Sequence, residues 1–63
     1  MSTLIINIDT NNAAFWNEDS TATDEMTPIL ASIARNWPYT AMNDNRPVMD
    51  SNGNTVGYWR VEP

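Results

Sequence analysis

A small α+β domain in the order strand, helix, strand, strand is the fold class that this sequence predicts. Three observations carry it. Thr3–Ile8 is an alternating, β-branched run; Met26–Trp37 holds one helical apolar stripe; and Asp50–Asn54 is a turn-forming segment between two short β-rich runs. The natural arrangement is a three-stranded sheet with one helix packed across one face. Residues 1–63 are expected to form a single domain, since a chain of 63 residues holds one core at most.

Each element has its own warrant. In Thr3–Ile8, residues Leu4, Ile6 and Ile8 share one face at period two. The strand ends at Asp9-Thr10-Asn11-Asn12. Phe15 and Trp16 are expected to pin the following polar link, Asn17–Thr23, to the core. Met26, Ile29, Leu30, Ile33 and Trp37 then recur at helical spacing. Thr23 or Asp24 can cap this helix, or Thr27 with Pro28 at the first helical position. Arg35 suits the last turn, and Trp37 before Pro38 is pushed out of helical geometry, so the helix stops near Asn36. Pro38–Pro47 reads as a loop. Pro47–Asp50 and Thr55–Val61 flank a hairpin turn in which Asn and Gly tolerate positive φ. In the last strand Val56, Tyr58 and Arg60 face one way, and Gly57, Trp59 and Val61 the other. Gly57 signals a bulge or a close approach by the helix. Met26, Ile29, Leu30 and Ile33 are expected to pack on Leu4, Ile6, Ile8, Trp59 and Val61. Ile5, Val56 and Tyr58 would then remain on the open sheet face as a surface for a dimer or another partner.

Composition removes many functions. There is no cysteine, histidine or lysine. The common nucleophile–base triads and Schiff-base chemistry lose their parts, and no zinc site or other cofactor is expected. Neither a P-loop nor a dinucleotide-binding glycine motif occurs. Glu18-Asp19 and Asp24-Glu25 are paired carboxylates, but a mobile link does not hold the fixed separation that acid–base work needs. Asp50-Ser51-Asn52-Gly53-Asn54 has oxygens at the first three alternate positions of a calcium loop. Thr55 stands where that loop needs Gly and Val61 where it needs Glu, so a plain hairpin turn is the better reading. The chain is not expected to be an enzyme.

The net charge is −5, and the three arginines are widely spaced. Direct nucleic-acid binding is therefore not expected, and eight acids, sparse beside the charge of a duplex, read better as ordinary solubility charge than as a DNA mimic. No apolar run approaches the ~20 residues of a membrane span, and the N-terminal segment lacks a positive leader, so a cytoplasmic location is expected. Folding would bury roughly 6,000 Å², giving roughly 90 kcal/mol from the apolar part, against about the same cost of ordering the chain. That near-balance, with no disulfide to help, predicts a homodimer or an obligate partner.

Three tryptophans and two tyrosines are more than so small a core needs. Trp59 and Trp37 can be spent on it. Trp16, Tyr39, Met42 and Tyr58, with Arg46 or Arg60, are residue types that dominate binding hot spots.

Asn12-Ala13-Ala14-Phe15, Ile29-Leu30 with Ile33-Ala34, and Asp50-x-Asn52-Gly53-Asn54-x-Val56-Gly57 form one ordered pattern. It resembles a group of small phage and prophage proteins without an assigned activity. The sequence departs from that pattern at Pro28 and at Asn36-Trp37-Pro38. The resemblance implies an α+β fold and a phage-encoded accessory role. The expected function is thus a non-enzymatic phage or mobile-element protein that binds a host protein, as an inhibitor of a defence or replication system. The alternatives are a small-molecule sponge, with an aromatic stacked on a base and Arg46 or Arg60 on phosphate, and a structural virion or assembly component.

Overall fold

The computed structural model describes residues 1–63. Strand β1 (Thr3–Ile8), helix α1 (Met26–Asn36), strand β2 (Arg46–Met49) and strand β3 (Thr55–Glu62) follow in the expected order. Short 3-10 turns cover Ala13–Phe15 and Trp37–Tyr39. The sheet is antiparallel with order β1-β3-β2, so the last strand is central and the other two are edges. The fold is the small α+β domain that the hydrophobic periods predict.

Register fixes the two sheet faces. Leu4, Ile6 and Ile8 stand opposite Val61, Trp59 and Gly57, with Arg46 and Val48 of β2 continuing the same face. Helix α1 lies over this face. Ile29 and Ile33 are its buried residues, and they join Phe15, Val48, Val56 and Trp59 in one core, with Ile8 and Met26 packed at its margin. The helix start is held by Thr23, whose hydroxyl accepts from the Glu25 N–H at 3.3 Å, and by Asp24, whose carboxylate accepts from the Thr27 hydroxyl at 2.7 Å. Pro28 falls in the first turn, where its missing N–H has no helical partner to lose. At the other end Trp37 still donates to the Ile33 carbonyl, and the chain tightens into the 3-10 turn Trp37–Tyr39.

Three expectations about packing are corrected. Simple alternation puts Val56 on the open face, yet Val56 is buried in the core. The pairing slips between Val48 and Met49, and Val56 is the extra residue that this bulge turns inward. Spacing predicts Leu30 of the helix packed on Leu4 and Ile6 of the sheet, yet each of the three is 39–45% exposed. The reason is the placement of α1, whose Pro28, Ser32 and Asn36 flank faces β2 across a cleft. Leu30 and Trp37 project about 150° further round the helix. They therefore point away from β2, towards the β1 side, and stay exposed. Trp37 is likewise exposed rather than spent on the core.

The close approach at Gly57 comes from the neighbouring strand and not from the helix. A Cβ there would collide with the Asn7 carbonyl of β1. The hairpin between β2 and β3 is a three-residue loop: the Gly53 N–H donates to the Asp50 carbonyl, the Asp50 N–H to the Asn54 carbonyl, and Gly53 sits at φ 82°. The segment read as a polar link repeats this turn. The Ser20 N–H donates to the Asn17 carbonyl, the Asn17 N–H to the Thr21 carbonyl, and Trp16 pairs with Ala22. Ser20 occupies the position of Gly53, at φ 66°.

Candidate functional site

Apart from Val56, which is buried in the core, the residues expected to meet a partner fall into three places. Ile5, Tyr58 and Arg60 lie on the open face of the sheet, Ile5 directly opposite Arg60. This face is less apolar than its sequence suggests. Ile5 is half-buried, and Arg60 is held by Glu62 at 2.8 Å. Trp16 stands apart on the Asn17–Thr21 turn. It is exposed, not buried as an anchor, although its indole N–H donates to the Thr10 carbonyl at 2.7 Å.

Tyr39, Met42 and Arg46 form the third group, beside Trp37. The Arg46 guanidinium donates to the Tyr39 carbonyl at 3.0 Å and reaches Asp44 at 3.5 Å. It lies 5.7 Å from the centre of the Trp59 ring, a cation–π distance. Arg46 is thus the first residue of β2 and a strut under the loop, where the sequence suggested a loop residue. The loop it supports is closed by the Asn43 N–H on the Val61 carbonyl, with Asn43 at φ 67°. Tyr39 is 79% exposed and Met42 and Trp37 about half. The backbone under these side chains is thus tied to β2 and β3, while the side chains themselves are open to solvent.

Sequence reasoning missed Leu4, Ile6, Leu30 and Trp37 as surface residues, because period alone assigns them to the core. The available signal was quantity: an eleven-residue helix with two buried isoleucines cannot cover every apolar side chain of the sheet face below it.

The acids are not gathered for chemistry. No group of three or more carboxylates is placed to hold a metal ion. Asp50 is buried, and its carboxylate accepts from the N–H groups of Asn52 and Asn54, each at 2.9 Å, and from the Asn12 side chain at 2.9 Å. These donors, the Asn54 N–H foremost, hold its carboxyl below the usual carboxylate value. Its oxygens are thereby spent on the hairpin and on the 3-10 turn that follows β1. Glu25 accepts from the Ser51 N–H at 3.1 Å and the Ser51 hydroxyl at 2.9 Å, joining the helix start to the same hairpin. No helix is long and apolar enough to cross a membrane.

A cleft of about 410 Å³ separates α1 from β2, with Arg46 and Trp59 at its floor and Ser32 and Asn36 on its helical wall. The Arg46 Nε is buried there without a partner. Trp59 is itself buried, so its ring is not free to stack on a base.

Comparison with protein-family models, curated proteins and solved structures finds no match to this chain.

Proposed function

We propose that this protein acts without catalysis, as a phage or mobile-element accessory protein that docks on a host protein and inhibits a defence or replication system. The observation that carries a binding role is the group Trp37, Tyr39 and Met42, exposed on a segment that Arg46 and the Asn43–Val61 hydrogen bond tie to the sheet. Large aromatic and methionine side chains presented on a fixed loop lose little entropy when a partner covers them. Their surroundings carry few competing charges, because Arg46 is already engaged with Asp44.

Tagged protein expressed in a bacterium should recover one host protein in stoichiometric amount. A Tyr39→Ala/Met42→Ala double variant should weaken that complex at least about tenfold, since each side chain belongs to a hot-spot class. Recovery of nothing across several hosts, or equal recovery by the variant, contradicts the proposal.

The α1–β2 cleft favours a second reading, a small-molecule sponge in which the unpartnered Arg46 Nε holds an anionic group. A thermal-shift screen with cyclic nucleotides tests it, because a bound ligand raises the melting temperature by mass action. No shift with any of them removes this reading.

A further inference from the structure

We propose that the β1 edge is a self-association site, at which two copies of this chain join their sheets antiparallel into one six-stranded sheet. This goes beyond host docking at Tyr39 and Met42, with which it shares only Trp37.

The backbone supplies the first observation. The Asp9 N–H donates to the Val56 carbonyl at 2.7 Å. In an antiparallel ladder the bonding direction alternates, so Thr3, Ile5 and Asn7 turn their peptide groups towards β3. Leu4, Ile6 and Ile8 turn theirs outwards, to the open edge. The two edges of the sheet are treated differently. β2 has four residues, with Pro47 and the adjoining bulge, features that block strand addition. β1 has six paired residues without charge, proline or bulge. It carries none of the protections that isolated edges carry.

The side chains supply the second. Leu4 and Ile6 of β1, on the helix-bearing face, and Leu30 and Trp37 on the β1-side flank of α1 are each 39–49% exposed. A strand added at β1 therefore meets both free peptide groups and an apolar flank.

A second copy fits this edge by symmetry. A two-fold axis normal to the sheet keeps both helices on one face, and facing residues must then share a face. The two longest such overlaps are centred on Ile5 or on Ile6. The first sets Leu4 against the partner's Ile6; the second sets Ile6 against the partner's Ile6. Either brings the two apolar flanks together. Although each chain carries −5, Thr3–Ile8 adds no charge to the seam. The isolated chain also exposes more than its size warrants: 4536 Å², against about 4,100 Å² for a compact monomer of this mass. None of its large side chains is fully buried.

Sedimentation of the wild type at micromolar concentration should show a dimer. Ile6→Lys should raise the dimer dissociation constant about a hundredfold or more, since in either register two apolar contacts are lost and two cations enter the seam. Circular dichroism should report an unchanged fold, because the side chain is already partly in water. Tyr58→Ser, on the open face, should leave the dimer intact. A monomeric wild type, a dimer indifferent to Ile6→Lys, or a dimer broken by Tyr58→Ser overturns the proposal. So does a monomer that pairs through β1 only with a different chain. If Ile6→Lys fails to fold, concentration-dependent protection of the Ile6 amide in the wild type decides in its place, protection supporting the dimer and its absence refuting it.

Discussion

Ser20 and Gly53 occupy the same position in two copies of one turn, and only one of them suits it. Both have positive φ, 66° and 82°. Glycine takes that conformation freely, whereas an L side chain is strained there by about 1 kcal/mol or more. Ser20→Gly should therefore stabilise the protein by roughly 0.5–1 kcal/mol, read as a higher urea midpoint with an unchanged slope. An unchanged or lower midpoint would show that the turn relaxes around serine. This serine also explains why the Asn17–Thr21 turn was illegible in the sequence. Gly53 announces the second hairpin, but at Ser20 the residue that announces such a turn is absent. Asp50 opens one turn and Asp19 stands in the middle of the other, and each carboxylate accepts hydrogen bonds from its own turn. The Asn54 N–H leads in holding the Asp50 carboxyl low, and the Thr21 hydroxyl leads for Asp19. A carboxyl whose folded pKa is depressed adds stability that is complete above its unfolded value and lost as pH falls through its folded value. With no histidine to titrate, the melting temperature should be flat from about pH 8 to 5 and fall below about pH 4. Asp50→Ala should flatten part of that acid limb, because it removes one of the two depressed carboxyls.

Among the elements, β3 carries the most. It is central, it supplies Val56 and Trp59 to the core, and its Gly57 lets β1 approach to a distance that no side chain permits. Gly57→Ala should cost about 3 kcal/mol or more, a large part of the stability of so small a domain, because the atom that it would strike is backbone and cannot turn aside. Thermal unfolding of that variant checks this; a loss below about 1 kcal/mol would mean that β1 can move away. The strands and the helix were legible because their periods of two and near 3.6 are written in Leu4-x-Ile6-x-Ile8 and in Met26, Ile29, Leu30 and Ile33. What each face meets was less so. Val56 is turned inward by a bulge whose position depends on cross-strand pairing, and period is blind to that. Leu30 lies on the stripe yet outside the core, because α1 is set towards β2. A helix's position over a sheet is a tertiary fact, which spacing along one segment does not encode.

The molecule as a whole is longer and thinner than a chain of its size needs to be. Its radius of gyration is 12.8 Å, against about 11 Å for a compact domain of this length, and it extends 41 × 18 × 16 Å. The near-balance between burial and ordering that its size implies has a visible counterpart, a core confined to the β2–β3 side and an apolar flank left open along β1. The self-association surface we propose accordingly lies on the helix-bearing side of the sheet, away from the open face of Ile5 and Tyr58. Arg60 with Glu62 makes the open face ordinary, and Leu4, Ile6, Leu30 and Trp37 make the other side unfinished. The most direct test of this account is amide hydrogen exchange along β1, followed as the protein is diluted. Ile5 and Asn7, bonded to β3, should be protected at every concentration. Leu4 and Ile6 should be protected only where the dimer forms and should lose protection on dilution. Leu4 and Ile6 amides that exchange freely at every concentration would contradict it.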